Sequence, residues 1–424
     1  MVGGWVGAWS VGSRVHSSIA KERGLPAPRW RGIAALALAH GANDMYVGFL
    51  PALLPLVVDR LGLSYRGAGA LVSILVVTSQ LSQPLFGFLG DRVGRRALVV
   101  SGPILTALSM SWLGLLGTYE LLVVALIFAG AGTAIFHPQG AALVGGMARR
   151  QSGAAMAVFT AGGSVGYGIG PVLVVALVGW LGLGATWLTM PIGLLVVGYL
   201  AVAVPRGAGA PQEAGSAAAG PPRRRWLAPL VMLYMVVMLR AAAATLFTTF
   251  VPLLLKRRGE ALILGGWALL GFSLAGAAGG LIGGRLSETI GRRAVTVAGL
   301  ALAAPALYLF VHASGFAAAA LLLVAGACLL SALPINIVMA QELVPRHAST
   351  VSGFVMGFAW GMGGLAAPGL GALADHWGLV LGELAGLTRA MDLIPLLPLA
   401  GAVLAMALPE TRPAGAFGAG SRSA

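Results

Sequence analysis

The residues best placed to do chemistry lie inside apolar runs. His40, Asn43 and Asp44 stand in the order His40-Gly-Ala-Asn43-Asp44. Positions i, i+3 and i+4 share one helical face. A carboxylate within an apolar span is costly and points to function. In a later apolar run the lone charge is Arg240. Across a membrane these two would make an acid and a cation on one aqueous path, as a pair or apart. Asp44 would then carry a proton and Arg240 would attract an anionic or polar substrate. Substrate arrival at Arg240 would change the proton affinity of Asp44, which is a physical route to antiport. The structural alternative is an ion pair that fixes helix register.

Further polar groups interrupt other apolar runs. Phe136-His137-Pro138-Gln139 places an imidazole beside a proline. Such a proline bends a span and frees a carbonyl where the helix lines a cavity. His137 can titrate near neutral pH, or it can stay neutral and bond a carbonyl on another helix. Gln80 and Gln83 lie one turn apart and precede Pro84. They line a cavity or bind helices together. Asn336, after Pro334, is a further cavity candidate. Gln341 and Glu342 sit near Arg346 at the end of a run, where a carboxylate could pair with Arg292 and Arg293 as part of a cytoplasmic gate. The glycines from Gly162 to Gly170, before Pro171, allow close helix packing.

The elements that position these residues follow from composition. Of 424 residues, 58% are hydrophobic and only 9% are charged, and mean hydropathy is +0.90. Soluble domains carry about 25% charged residues, so too little polar surface exists for a soluble globule. This excludes a cytosolic enzyme, a disulfide scaffold and a disordered chain, and leaves an all-α membrane protein. The single cysteine, Cys328, excludes an internal disulfide. The net charge of +14 sits in short clusters between apolar runs, as cytoplasmic loops do. It does not point to nucleic acid.

Hydropathy predicts twelve spans, near residues 33–58, 67–90, 97–116, 121–145, 153–179, 184–204, 227–255, 262–286, 294–312, 316–341, 348–374 and 389–408. They group into a tail over 1–31, a six-helix half over 32–204, a Gly, Ala and Pro-rich linker over 205–226, a second half over 227–408 and a tail over 409–424. The first thirty residues, with a short Gly-rich apolar stretch and no small-residue cleavage site, are expected to be a cytoplasmic tail and not a signal peptide. Twenty of the 27 Lys and Arg residues fall on the side of the termini and six on the other. Both termini are therefore expected in the cytoplasm. Lys256-Arg257-Arg258 runs against that bias.

The halves repeat at an offset of 197. Pro55 and Gly62 match Pro252 and Gly259, and Pro171 matches Pro368. Gly87, Gly90, Asp91, Arg92, Gly94, Arg95 and Arg96 form a run whose second copy holds Gly284, Glu288, Gly291, Arg292 and Arg293. Thr289 replaces Arg92 in that copy. Both halves start on one side, so the repeat is parallel with its axis along the membrane normal. The run Gly87 to Arg96 resembles the signature loop of the major facilitator superfamily. The resemblance implies the major facilitator fold, twelve transmembrane helices in two pseudo-symmetric six-helix halves, with this loop in gating.

A narrower resemblance rests on His40-x-x-Asn43-Asp44, Gln83-Pro84, Phe136-His137-Pro138, Leu239-Arg240, Met339-Ala-Gln341-Glu342-Leu343 and the glycine run from Gly353 through Gly364 to Ala374-Asp375. These resemble the fosmidomycin resistance family of drug/proton antiporters. The resemblance covers about residues 33–408. It departs at Gln139, where that family usually has Glu, and this puts the proton load on Asp44.

The expected function is proton-coupled export of a small polar or anionic drug-like molecule by alternating access, from the inner or plasma membrane. Its partners would be the substrate, protons and the bilayer, with the chain a monomer. No phosphate-binding loop pattern is present, so a proton gradient supplies the energy and no cofactor or metal is expected. Proton-coupled uptake of a small organic anion uses the same acid and base. An intramembrane metal-dependent enzyme built on His40, Asp44 and His137 is the reading from another class, and the chain is not expected to be an enzyme.

Overall fold

The computed structural model describes residues 29–148, 152–205, 226–344, 351 and 354–411. The tail over 1–28, the linker over 206–225, Arg346, Gly353 and the tail beyond 411 lie outside the described residues, as does the side chain of Asp91. Among the described residues every regular element is helical. Helices satisfy their own backbone groups, which a bilayer core requires.

Among the described residues eleven helices are long and apolar enough to cross a membrane. They are Trp30–Leu61, Tyr65–Gly90, Arg95–Leu115, Tyr119–Ala148, Ala154–Leu181, Leu183–Ala203, Leu227–Arg257, Leu262–Ile290, Arg292–His312, Gly315–Leu343 and Glu383–Met406. We number the first ten in this order and call the last the twelfth. The passage expected over 348–374 is broken. Within it Phe354–Phe358 forms a π-helical turn, followed by Ala359–Gly364 and Ala367–Leu381. Pro368 opens the last piece and glycines loosen the others. We call this passage the eleventh.

The repeat is visible in the backbone. Gly94 and Gly291, repeat mates, open the third and ninth spans with φ of 96° and 104°. Gly62 and Gly259, also mates, have φ of 60° and 83°. Side chains rarely adopt these angles, which explains glycine in both copies. Arg96 and its mate Arg293 each reach the last span of their own half. Arg96 donates to the Ala201 and Val204 carbonyls at 2.6 and 3.1 Å. Arg293 donates to the Leu408 carbonyl at 3.5 Å.

Spans one and five pack backbone to backbone. A Cβ at Gly162 would meet Ala37, one at Gly166 would meet Gly41, and one at Gly170 would meet Met45. Small residues every four positions on the fifth span thus seat it against the first. The glycine run read from the sequence as a packing device has this geometry, and it brings the fifth span over His40 and Asp44.

Candidate functional site

The site is built on spans one, four and five. His40 Nδ1 donates to the Phe159 carbonyl at 2.8 Å. A carbonyl only accepts, so Nδ1 carries a hydrogen and the neutral ring offers a lone pair at Nε2. That Nε2 lies 3.2 Å from Asp44 Oδ2 and 3.1 Å from His137 Nε2. His137 Nε2 is also 3.2 Å from Asp44 Oδ1. A hydrogen on His137 Nε2 can therefore serve His40 or Asp44. A second proton, on His40 Nε2, would donate to Asp44 Oδ2. The cluster can gain or lose a proton while keeping its contacts.

Its surroundings hold it in place. The His40 ring stacks on Phe159 with centroids 4.2 Å apart. Asn43 Nδ2 donates to Asp44 Oδ1 at 3.1 Å and to Thr133 Oγ1 at 3.3 Å. Asp44 and His137 side chains are each 20% exposed, so the cluster meets solvent at one edge. A Cβ on Gly163 would sit 2.8 Å from Asp44 Oδ2, so any larger residue there would push on the cluster. Donor atoms of the three residues lie within 4.8 Å of one another. A metal ion could bridge that spacing, but hydrogens alone account for the contacts and we assign no metal role.

The structure does not pair Asp44 with Arg240. The Asp44 oxygens are taken by His40, His137 and Asn43, and among the described residues no ion pair includes Arg240. Arg240 is 1% exposed, with its guanidinium carbon 5.1 Å from the Trp360 ring centroid.

Other sequence candidates fall in packing positions. Gln139 is 1% exposed and donates to the Phe86 carbonyl at 2.7 Å, against Gly90. It joins span four to the end of span two. Its repeat mate Asn336 is equally buried and accepts from Thr296 at 3.5 Å. Gln83 Nε2 donates to Gln80 Oε1 at 2.9 Å, beside Gly357 of the eleventh passage. Arg92 lies over the Phe88 ring at 4.2 Å. Arg292 and Glu342 do form the pair expected from the sequence. Both belong to the second half, so the pair ties span nine to span ten and does not bridge the halves. Glu288 is exposed beside them.

Sequence reading missed the polar contacts between halves, which gather at the end opposite the termini. Arg257 pairs with Asp59 at 3.1 Å and with Glu383 at 2.8 Å. Tyr65 accepts from Arg257 and donates to Glu383. Asp375 accepts the backbone N–H groups of Tyr65 and Arg66 at 2.8 and 2.9 Å, at a helix N-terminus that favours a carboxylate. Ser73 donates to the Gly364 carbonyl at 2.6 Å. One signal was available: Arg257 belongs to the cluster that opposes the charge bias. Its neighbour Arg258 donates to the Val311 and Ala313 carbonyls at the end of span nine. Glu410 was also missed. It accepts the N–H groups of Arg292 and Arg293.

Comparison with known proteins agrees with this architecture. A sequence profile of the Major Facilitator Superfamily matches residues 36–368 and 233–423. The uncharacterized MFS-type transporter YfnC of Bacillus subtilis is 31% identical over 395 residues, covering 88% of this chain and 92% of the relative. The fosmidomycin resistance protein of Escherichia coli is 28% identical over 386 residues, covering 90% and 93%. Among solved structures, a bacterial homolog of the human lysosomal transporter Spinster, in an inward-facing and occupied conformation, superposes with a TM-score of 0.77 at 16% identity, covering 90% and 97%. The nucleoside transporter NupG gives 0.72 at 14% identity, covering 89% and 99%.

Proposed function

The chain belongs to the Major Facilitator Superfamily, and from that premise we propose that this multi-span membrane transporter is a proton-coupled exporter of a small polar or anionic molecule. The observation that carries the reading is the His40–Asp44–His137 cluster. A carboxylate at membrane depth between two imidazoles, open at one edge, has the parts to load and release a proton. The titratable groups that face Asp44 are His40 on its own span, His137 on span four and Tyr167 on span five. The likeness to the fosmidomycin resistance protein favours export over uptake. The energy source is the proton gradient.

With the termini in the cytoplasm, as the charge bias indicates, the Arg257–Glu383–Asp59 network closes the outer side. The cluster then faces the cytoplasm, and rocking of the two halves carries it outward.

The test uses proteoliposomes with a pH-sensitive dye inside, an imposed pH gradient and fosmidomycin, followed by a panel of phosphonates, sugar phosphates and common drugs. A compound that dissipates the gradient in wild type and does nothing in Asp44→Asn supports the reading. Full proton-coupled activity in Asp44→Asn would sink it. Uptake, the second direction, shows as accumulation driven by an inward proton gradient.

A further inference from the structure

Arg240 is among the largest fully buried side chains in the protein. Its Nε and Nη1 have no hydrogen-bond partner among the described residues. A guanidinium keeps its charge in proteins, and a buried charge without a partner is strongly destabilising. A chain that keeps one needs an acceptor from elsewhere.

The repeat says what is missing. The mate of Arg240 is Asn43, whose amide nitrogen has two acceptors within the protein, Asp44 Oδ1 and Thr133 Oγ1. At the same offset, Asp44 corresponds to Ala241 and Thr133 to Leu330. Neither side chain can accept a hydrogen bond. The second half therefore keeps the donor and lacks both acceptors.

We propose that Arg240 and Trp360 form a head-group subsite for the cargo, and that the cargo is a monoanion with an apolar body. The proposal rests on the transport reading above. An oxygen of the ligand takes the place of the absent acceptors. One guanidinium balances one negative charge, whereas a dianion would carry an unpaired charge into the bilayer core. One turn before Arg240 on its own helix, Val236 and Val237 are apolar and buried, so they offer no acceptor, and the body of a ligand bound there would meet hydrocarbon. The Trp360 ring stands against the cation and adds a flat wall. A carboxylate and a singly ionised phosphonate share this chemistry.

The experiment is equilibrium dialysis of the full chain in detergent with 2-naphthoate, its neutral amide 2-naphthamide, and 2-naphthyl phosphate at pH 8, where the phosphate is a dianion. Wild type should prefer the naphthoate to the amide by about tenfold or more, the worth of one charge-assisted hydrogen bond. The dianion should bind no tighter than the naphthoate. Arg240→Gln should erase the preference, and Arg240→Lys should keep part of it. Wild type that does not prefer the naphthoate overturns the proposal, and so does Arg240→Gln that still does. A dianion bound about tenfold tighter than the naphthoate overturns the single-charge limit. If Arg240→Gln does not fold, the wild-type comparison decides alone. Equilibrium binding uses no proton gradient, so failure here leaves the proton reading standing, and failure of proton movement in liposomes leaves this one.

Discussion

His137 Nε2 stands 3.2 Å from Asp44 Oδ1 across 93 residues of chain. The contact joins span four to span one and puts a second imidazole on a carboxylate that His40 already touches. Losing His137 should leave Asp44 with one imidazole partner. His137→Ala is expected to slow proton-coupled flux roughly tenfold, the scale of one charge-assisted hydrogen bond. His137→Gln keeps a donor but cannot titrate, so it should restore stability and leave the pH profile altered. Dye quenching in liposomes between pH 5.5 and 8 reads both. A His137→Ala chain with wild-type rate and profile would remove His137 from the proton path.

Two neighbouring glycines should fail in different ways. A methyl at Gly163 would lie 2.5 Å from His40 Nε2 and 2.8 Å from Asp44 Oδ2. A methyl at Gly166 would run into the Gly41 carbonyl and part the first and fifth spans. Gly166→Ala is thus an overpacking change, expected to cost about 1–3 kcal/mol and to lower the melting temperature. Gly163→Ala meets side-chain atoms and not backbone, so stability should fall less and proton movement more. Equal loss of stability and equal residual transport in the two variants would contradict this division.

How much of this was legible in the sequence depends on what marks a residue. His40 and Asp44 share a helical face by their spacing, and the apolar run around them makes any charge conspicuous. Arg96 and Arg293 were marked by the repeat. Gln139 was marked by its departure from the family's Glu and Asn336 by its place after Pro334, and neither mark says which face a side chain takes. Both turn into helix contacts. Arg257, Asp59, Tyr65 and Glu383 left almost no trace, because charged residues at loop ends are ordinary. Their meeting depends on how two halves dock, and no local period encodes that. Asp44 and Arg240 were open in the sequence as a pair or apart on one path, and the structure leaves them unpaired; the repeat mate of Asp44 is Ala241 and that of Arg240 is Asn43.

Gln139 offers a test of the departure noted in the sequence. Its amide donates to the Phe86 carbonyl at 2.7 Å in a buried setting. A carboxylate cannot donate, and only the protonated acid can replace the amide there. Gln139→Glu should therefore melt close to wild type at pH 5 and lower at pH 8, by an amount corresponding to about 1–3 kcal/mol for an unmet buried acceptor. Melting followed by scattering across that range checks it. A variant whose difference from wild type does not change with pH would show that the acid has found another partner.

The network at the end opposite the termini is expected to set the balance between closed and open states. Arg257 is 26% exposed and its partners Asp59 and Glu383 are 41% and 55% exposed. Exposed pairs of this kind contribute about 0–1 kcal/mol each. Arg257→Ala loses both and leaves Tyr65 without its donor. The population should shift toward the state open at that end by roughly three- to tenfold, and the chain should stay folded. Spin labels at Leu63→Cys and Ala261→Cys, on the two halves beside the network and in a Cys328→Ser background, would report a longer distance component that grows in Arg257→Ala. The same component should grow in wild type as salt rises, because screening weakens exposed pairs first. An unchanged distance distribution in Arg257→Ala would assign closure to the tight backbone contacts instead, such as those of Gly69 with Ala367 and Gly371 with Tyr65. The network would then follow the closed state without setting it.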